Sequence, residues 1–586
     1  MILQALNDYY HRKQAADGDA MAPEGFEFKE IPFLIVLKSD GSVLTVRDTR
    51  EGEGKARRAK TYRVPKAVKR TVGIAANLLW DNAEYTLALP CEGRETSAED
   101  LAKRHAAFKQ RLDGDLSGCD DAGLAALYAF LQNLDLAALA AFPALADLQA
   151  SNGNVSFQLA GESELIANRL AVVQRLQQAP EPAEAGSTDD IRCLVSGEMD
   201  ELARLHDSIK NVWGANTSGA NIVSFNLAAF NSYGKTQGGN AQIGKKAATN
   251  YAAALNALLH KDSKQRLQVG DASTVFWASK PDTPAESLFA MFAGTTGDDP
   301  DAGTKLVSSL YASVQNGAYQ EEDGNERFYV LGLAPNAARL SVRFWYAAPI
   351  KEFALHIHQY FQDVEIEPPA YEKRRFFSLY QLLRSIALLG EAKNIPPNIA
   401  GETLRAIVGG LPLPAALLNM AVMRCRAERQ VTPPRASLIK ACLARQARFD
   451  YQPENTLTMS LNLEDTRPAY RLGRLFAALE RIQHDAMGDV NSSIRDRYYG
   501  SASASPASIF GVLLKNANNH LGKLKPGIAT NHRKLLGEVM DGLNDLPAQM
   551  PLAQQGLFAI GYYHQTQAFY ASKSAAPIDN NNAVTN

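Results

Sequence analysis

A change in hydrophobic pattern at residues 365–369 constrains the fold of this chain more than any other feature. Before it, short apolar runs typical of strands alternate irregularly with segments of helical spacing. After it, helical periodicity continues almost throughout, and prolines mark the boundaries between helices. The sequence therefore predicts an α+β N-terminal part with short antiparallel strands and hairpins, and an all-α C-terminal part that ends in a helical bundle.

The length of the chain predicts several domains, because single domains usually hold roughly 100 to 200 residues. We expect an α+β region over residues 1–370, a helical connecting region over 371–458 and a four-helix bundle over 459–586. The polar stretch 178–190 contains prolines and predicts an exposed linker. Residues 575–586 are polar and rich in Asn, which predicts a frayed end.

Two pairs of apolar runs predict β-hairpins. Residues 31–37 and 43–47 flank Ser-Asp-Gly-Ser, and residues 327–333 and 339–346 flank Ala-Pro-Asn-Ala. Further short strands are predicted at 85–89, 155–159, 191–195, 222–225 and 274–278. Helices are predicted at the N-terminus, over 124–148 with an interruption at Pro143, and over 249–259.

Composition excludes several classes of protein. The five cysteines form no CxxC pair, so neither a disulfide framework nor a structural zinc site is indicated. No run of apolar residues reaches the length of a membrane span, and the N-terminus lacks the pattern of a secretory signal. We expect a soluble, cytoplasmic protein.

The sequence contains no convincing catalytic motif. Residues 239–246 nearly match the phosphate loop GxxxxGK[ST], but Lys246 stands where the magnesium-binding hydroxyl belongs, and no strand is predicted directly before the motif. His356 and His358 lie in a helical stretch, where residues two apart point in different directions. HExxH and GxSxG motifs are absent. We therefore expect a protein that is not an enzyme and has no cofactor or catalytic metal.

Charge is distributed unevenly along the chain, although the net charge is only -2. Residues 47–70 contain ten Lys and Arg against three acids, and residues 424–448 contain seven against one. Residues 113–201 reverse this balance, with fifteen acids against three Arg. Two basic segments are typical of a protein that contacts a polyanion on some faces only. Solvated surface helices are the alternative interpretation.

Residues 213–246 combine many Asn, Gln and Ser side chains with glycines, aromatic residues and lysines. Glycine allows close approach of the backbone, and amides and hydroxyls can both donate and accept hydrogen bonds. This chemistry suits the edges of DNA grooves and phosphate groups. The alternative is a polar loop over an α+β core.

Several blocks resemble one known family, the large subunit of the type I-C CRISPR surveillance complex, Cascade. The matching blocks are residues 1–10, 64–71 followed by 79–85, 224–240, 328–345 and 470–476. They extend from the first residue into the helical half, so the resemblance covers most of the chain.

The resemblance implies a non-catalytic subunit of an RNA-guided complex. Such a subunit recognises the protospacer-adjacent motif (PAM) on target double-stranded DNA, promotes duplex opening and R-loop formation, and helps to recruit the helicase-nuclease. The implied partners are a guide CRISPR RNA, the target duplex and its displaced strand, the backbone and handle-binding subunits, a small subunit and the helicase-nuclease. Guide pairing then reads the sequence while protein reads the flank.

Two other functions remain open on the sequence. One is a sequence-tolerant single-stranded nucleic-acid-binding subunit of another assembly, and the other is a nuclease or NTPase with a divergent site.

Within the polar stretch, residues 231–240 are the predicted PAM contact, with Lys235, Gln237 and Asn240 as the leading candidates. The supporting candidates are Asn216, Ser218, Asn226, Asn231, Ser232 and Tyr233. The basic segment is expected to follow nucleic-acid backbone rather than to read bases. Its candidates are Arg57, Arg58, Lys60, Arg63, Lys66, Lys69 and Arg70.

The resemblance also implies that the same reading frame can yield a separate small subunit from an internal start. Met459 is the candidate, because it precedes a predicted helix with Pro468 in its first turn. The alternative is that Met459 is an ordinary residue before a helix. Ten cations of the final bundle are expected to serve displaced or target-strand DNA: Arg471, Arg474, Arg481, Arg495, Arg497, Lys515, Lys523, Lys525, Arg533 and Lys534.

Overall fold

The computed structural model describes residues 1–16, 21–52, 57–68, 70, 73–93, 95–178, 190–280, 285–287, 289–290, 326–371, 376–488 and 490–571. Lys69, nearly all of the predicted linker 178–190 and the predicted frayed end 575–586 lie outside the described residues. The chain divides into two compact units, Met1–Asp207 with Ser224–Leu255, and Ser208–Val223 with Asn256–Asn586. The predicted domain boundaries at residues 370 and 458 stay predictions.

The first unit is built on short strands. They are β1 (Phe26–Glu30), β2 (Phe33–Leu37), β3 (Val43–Asp48), β4 (Arg50–Glu51), β5 (Arg58–Ala59), β6 (Thr61–Pro65), β7 (Trp80–Asn82), β8 (Asn154–Leu159), β9 (Asp190–Arg192) and β10 (Met199–Glu201). Strands β3, β2, β8 and β7 form a four-stranded sheet in that order. Strand β2 pairs antiparallel with β3 and parallel with β8, so its continuous apolar run is buried on both faces.

The first unit also contains short and long α-helices. They are α1 (Ile2–Ala16), α2 (Ala83–Thr86), α3 (Ala98–Leu116), α4 (Ala122–Gln132), α5 (Leu136–Leu139), α6 (Ala144–Ser151), α7 (Leu170–Gln178) and α8 (Lys245–Leu258). Phe108 of α3 and Phe130 of α4 pack against Phe157 of β8, with ring centroids 6.2 and 6.1 Å apart. The predicted interruption at Pro143 is confirmed, since α6 begins directly after it.

The second unit contains an antiparallel sheet in the order β11-β12-β13-β14. Its strands are β11 (Arg266–Val269), β12 (Ala272–Ala278), β13 (Arg327–Asn336) and β14 (Arg339–Pro349). Strands β13 and β14 form the second predicted hairpin. Phe328 of β13 stacks on Phe353 of the next helix at 4.1 Å, which joins the sheet to the helical core.

The rest of the second unit is helical, which confirms the predicted fold class. Its α-helices are α9 (Ile350–Val364), α10 (Leu379–Ile386), α11 (Pro397–Val408), α12 (Ala415–Glu428), α13 (Pro433–Phe449), α14 (Pro468–Met487), α15 (Ile494–Ala504), α16 (Phe510–Leu521), α17 (Pro526–Met540) and α18 (Leu552–Tyr570). The described residues of 459–571 contain five of these helices, α14 to α18, one more than the predicted bundle.

Two glycines explain the closest helix pair in the final bundle. A Cβ on Gly473 of α14 would lie 2.1 Å from the carbonyl oxygen of Phe558 in α18. A Cβ on Gly561 of α18 would lie 2.1 Å from the carbonyl oxygen of Tyr470. Only glycine permits this approach, so α14 and α18 form the centre of the bundle.

Three predicted strands are wrong in whole or in part. Residues 85–89 begin inside helix α2, because the Asn82 side chain accepts the Glu84 N–H and starts a helix there. Residues 222–225 form no strand, and only isolated bridges occur nearby at Ala220 and Asn221. The strand predicted over 191–195 ends at Arg192, where the chain turns.

The helices of the described residues include none long and apolar enough to cross a bilayer.

Candidate nucleic-acid interface

Residues 231–240 form an exposed loop with an unusual tip. The Lys235 N–H donates to the Ser232 carbonyl at 3.0 Å, which closes a two-residue turn around Tyr233 and Gly234. Both central residues have positive φ, 52° and 72°, as in a type I′ turn, where Asn or Gly is usual. Tyr233 is strained in this conformation, and its side chain is 99% exposed. The loop therefore holds an aromatic ring in solvent at an energetic cost.

Gln237 is a second strained residue in the same loop. Its φ is +46°, and its side chain is exposed. Residues in sparsely populated backbone regions cost about 1–3 kcal/mol each and concentrate at functional sites. Tyr233 and Gln237 thus place two strained residues within one short exposed loop.

Asn240 braces the loop from inside. Its Oδ1 accepts the Ser232 N–H at 2.9 Å, and its Nδ2 donates to the carbonyls of Lys235 at 3.1 Å and Gln237 at 3.0 Å. These bonds use both amide hydrogens. Asn240 is therefore placed to position the loop, while Lys235 and Gln237 keep exposed side chains.

The base of the loop rests on residues 193–204. The Gly238 N–H donates to the Arg204 carbonyl at 3.0 Å, and a Cβ on Gly238 would lie 2.0 Å from the Ala203 carbonyl oxygen. The Gly244 N–H donates to the Cys193 Sγ at 3.3 Å. Burial acts to raise the pKa of the Cys193 thiol, but the hydrogen bonds from Gly244, Ser196 and Val195 together outweigh burial, so the pKa is lowered. The backbone contact at Gly238 thus requires glycine, and a Cβ on Gly244 would lie 2.6 Å from the Asp200 Cβ.

The remaining PAM candidates are divided between the two units. Asn226, Asn231 and Ser232 are exposed in the first unit, and Asn226 makes interactions of its own. Asn216 and Ser218 are exposed on a loop of the second unit.

A carboxylate of this chain lies at the start of the helix that follows the GxxxxGK-like motif. Helix α8 begins at Lys245, but the Lys246 N–H donates to Asp200 Oδ2 at 2.9 Å. The Lys245 Nζ also pairs with Glu201 Oε1 at 2.9 Å. An anion that binds at a helix N-terminus does so through the backbone N–H groups of the first turn and the positive end of the helix dipole. The motif therefore leads into a helix whose first turn already bonds to the Asp200 carboxylate.

The basic segment 57–70 pairs much of its charge with acids of the same unit. Arg57 pairs with Asp48 at 2.6 Å, Lys66 pairs with Asp207 at 2.5 Å, and Arg70 pairs with the buried Asp81. The Arg63 Nε donates to Asn168 at 2.9 Å. Lys60 is exposed and lies 5.6 Å from the Tyr62 ring, Arg58 is exposed with interactions of its own, and Lys69 is outside the described residues.

Helices α16 and α17 carry a different basic surface. Residues 498–537 include no Asp or Glu, and the five Lys and Arg residues there form no ion pair with any described residue. All five are exposed: Lys515, Lys523, Lys525, Arg533 and Lys534. We call this set the α16–α17 patch.

Other cations of the bundle are engaged inside it. Arg474 is 2% exposed and donates to Gln565 at 3.1 Å, and Arg481 pairs with Asp485 at 2.9 Å.

The sequence analysis missed two features of this surface. It did not identify Gly238 and Gly244 as positions of close approach, which depend on contacts with a distant segment. It also overlooked a signal that was visible: no Asp or Glu occurs between Asp207 and Asp262. A long acid-free stretch with exposed amides favours contact with polyanions.

No group of three or more metal-ligating side chains occurs among the residues that the structure describes. His356 and His358 lie in helix α9 as predicted, and the His356 Nδ1 lies 2.7 Å from the Val408 carbonyl oxygen.

Comparison with known families gives one match that covers nearly the whole chain. The family model of the CRISPR-associated protein Cas_Csd1 matches residues 6–570. No curated protein sequence matches the chain significantly. Because the match extends through both units, the chain belongs to the CRISPR-associated Cas_Csd1 family.

Proposed function

We propose that this chain is the large, non-catalytic subunit of a type I-C Cascade complex, and that its 231–240 loop recognises the PAM on target double-stranded DNA. The observation that carries this proposal is the braced loop itself. It exposes Tyr233, Lys235 and Gln237 on a strained backbone, within a stretch that has no acidic residue. A cation and an amide held close to a glycine-rich backbone can contact both phosphates and base edges.

The further roles follow from membership in a CRISPR complex. The subunit would promote duplex opening and R-loop formation in the cytoplasm and help to recruit the helicase-nuclease. Its partners would be a guide CRISPR RNA, backbone and handle-binding subunits and a small subunit. The α16–α17 patch supports contact with a displaced or target strand, because its cations are available for phosphates.

The non-catalytic role is supported by the GxxxxGK-like motif. Asp200 supplies the anion at the start of helix α8, where a nucleotide phosphate would have to bind.

A separate small subunit beginning at Met459 is part of the same proposal. Such a product would keep the α14–α18 pair but lose α13, whose Ile439 lies within 3.2 Å of a Cβ built on Gly556 of α18. The face of α18 that α13 covers in the full chain would then be exposed and would need another partner. Expression of the full gene with a C-terminal tag, followed by mass spectrometry, tests this: the short product should vanish in Met459→Leu, and finding only full-length chain contradicts it.

The central experiment measures binding of the assembled complex to duplexes that differ only in the flank. Binding should depend on the flank, and Gln237→Ala should reduce that dependence while guide RNA and partner subunits still copurify. Equal binding to all flanks by the parent complex would refute PAM recognition.

The alternative is a sequence-tolerant single-stranded nucleic-acid-binding subunit, which the α16–α17 patch also favours. It predicts tight binding of unpaired DNA with no effect of the flank.

A further inference from the structure

Residues 210–219 of the second unit form a closed loop whose ends are paired. The Ile209 N–H donates to the Ala220 carbonyl at 2.8 Å, and the Ala220 N–H donates back at 2.9 Å. Gly219 has φ +91°, and a Cβ there would lie 2.8 Å from the Ile209 carbonyl oxygen, so the closure requires glycine. Loops of this length with adjacent ends are compact and often functional.

The base of this loop is fixed to the β11–β14 sheet. The Asn221 N–H donates to Ala338 at 3.2 Å, and the Leu340 N–H donates to Asn221 at 2.9 Å, beside the β13–β14 turn. The Trp213 N–H donates to the Ser273 Oγ at 2.9 Å. The backbone that carries the Trp213 ring is therefore held by a rigid element.

Trp213 nevertheless directs its ring outward. Its side chain is 62% exposed, whereas Trp80 is 2% and Trp277 is 0% exposed. Burying an aromatic side chain of this size would be strongly favourable. A single exposed apolar residue is common on protein surfaces, so the chemistry around it has to identify the ligand.

Along the chain, the exposed side chains that flank Trp213 are mostly polar, and none of them is acidic. Asn211, Asn216, Thr217 and Ser218 are all exposed, and the chain has no Asp or Glu from Ser208 to Lys261. The centre of a protein–protein contact is usually ringed by other packed residues. Amides and hydroxyls around one flat ring instead match a nucleobase, which offers a π-face and hydrogen-bonding edges.

We propose that Trp213 stacks on an unpaired nucleobase, with Asn216 and Ser218 placed to hydrogen-bond to the same nucleotide or its neighbour. A base inside a duplex has no free face, so the ligand is single-stranded nucleic acid. The inference rests on the proposed function, because it assumes that the chain meets opened nucleic acid. It assigns a role to residues of the second unit, in addition to that proposed for the 231–240 loop of the first.

Tryptophan fluorescence of the full-length chain tests the site, with single-stranded oligothymidine as the probe. Of the four Trp, Trp80 and Trp277 are buried and Trp345 is partly buried against Tyr329, so stacking at Trp213 should quench the exposed emission. Trp213→Ala should weaken oligonucleotide binding about 5- to 150-fold. Trp213→Phe keeps an aromatic ring, so it should lose the quenching but stay within about threefold of the parent affinity.

Tyr451→Ala is the matched control, because Tyr451 is 92% exposed in the same unit and lies outside the loop. It should bind the oligonucleotide like the parent. Thermal unfolding confirms that each variant is folded. Equal affinity of Trp213→Ala and the parent overturns the proposal, as does loss of copurifying protein subunits with unchanged oligonucleotide affinity.

Duplexes with and without the correct flank, tested on complexes assembled with the parent chain and with each variant, separate this site from the proposed function. If the parent shows no flank preference while the Trp213 variants behave as expected, PAM recognition fails and the stacking site stands. If flank preference is present and Trp213→Ala changes nothing, the stacking site fails alone.

Discussion

The basic segment 57–70 and the α16–α17 patch look alike in sequence but differ in how their cations are used. In the segment, Arg57, Lys66 and Arg70 each pair with an acid of the same unit. In the patch, five exposed cations have no ion pair with any described residue. The count of Lys and Arg is thus a poor measure of phosphate binding. The positions of nearby acids decide which charges remain available.

The same distinction applies inside the 231–240 loop. The Asn240 side-chain amide makes three hydrogen bonds within the loop, whereas the Gln237 side chain is exposed. An amide that is already satisfied holds the structure, and an exposed one is available to a ligand.

The largest effect should come from removing Arg70. Its partner Asp81 is 1% exposed and also accepts the Asn77 and Asn82 N–H groups at 2.8 Å. Arg70→Ala leaves a buried carboxylate without its cation, so the free energy of unfolding should fall by about 3 kcal/mol. Urea or thermal unfolding of the full chain measures this loss.

Arg57→Ala is the control for Arg70→Ala, because the Arg57 side chain is 39% exposed and its pair is partly solvated. It should cost less than about 1 kcal/mol. Equal destabilisation by the two variants would contradict the distinction between them. This result also matters for binding assays, since a charge reversal at Arg70 would disturb folding as well as any contact with nucleic acid.

Parts of the structure were predictable because their causes are local. The hairpins and the helical half follow from periodicity that a short window of sequence contains. The strand prediction at residues 85–89 was wrong, although the reason is also local. The Asn82 side chain caps a helix that begins at the next residue. Asp48 is likewise close in sequence, so part of the neutralisation of Arg57 could have been anticipated.

Other features depend on residues far apart in the chain. The Lys66 partner, Asp207, is separated from it by more than half of the first unit, and no local pattern relates the two. The brace at Asn240 depends on a turn around Tyr233 that requires an unfavourable backbone conformation. Sequence patterns indicate favourable conformations, so a strained loop is the part that they describe least well.

The second prediction compares Gln237 with Asn240. Gln237→Ala should weaken binding of the assembled complex to a duplex with the correct flank about 5- to 150-fold, the range for one base contact. Asn240→Ala should weaken it too, but because the loop loses its brace. Limited trypsin cleavage after Lys235 separates the causes: it should accelerate in Asn240→Ala and stay unchanged in Gln237→Ala. Identical cleavage in both variants would argue against the positioning role.

The third prediction concerns a buried cation. Lys440 is 3% exposed, and its Nζ donates to the carbonyls of Gln362 and Asp363 at 3.0 Å, where helix α9 ends. Burial lowers the pKa of Lys440 to about 8, against the opposing attraction of Asp363 and Glu365.

In the unfolded chain, Lys440 keeps its ordinary pKa, so the folded chain loses this proton first as the pH rises above about 8. The cost of burying the charge is fully present below that pH and decreases above it. Relative to Lys440→Met, the parent should therefore gain about 1–2 kcal/mol between pH 7.5 and 9.5. Urea unfolding of both proteins at each pH measures the difference. A constant difference would show that Lys440 does not titrate in this range.

The smallest expected effect tests the comparison of the two basic regions directly. Lys523→Gln with Lys525→Gln removes two cations of the α16–α17 patch, which lie in the turn between the helices. Affinity of the complex for all DNA targets should fall about fivefold, because phosphate contacts carry no sequence information. The slope of log Kd against log salt should decrease by about 0.7–0.9 for each phosphate that the variant no longer neutralises.

The matched variant is Arg57→Gln with Lys60→Gln, which also removes two positive charges. Arg57 already pairs with Asp48, so this double change removes at most the phosphate interaction of Lys60 and should alter affinity less than about twofold. An equal fall in affinity in the two double variants would mean that the ion pair of Arg57 opens when nucleic acid binds. In that case the acids that neutralise segment 57–70 would compete with phosphate for its cations, and raising the salt concentration should weaken both contributions together.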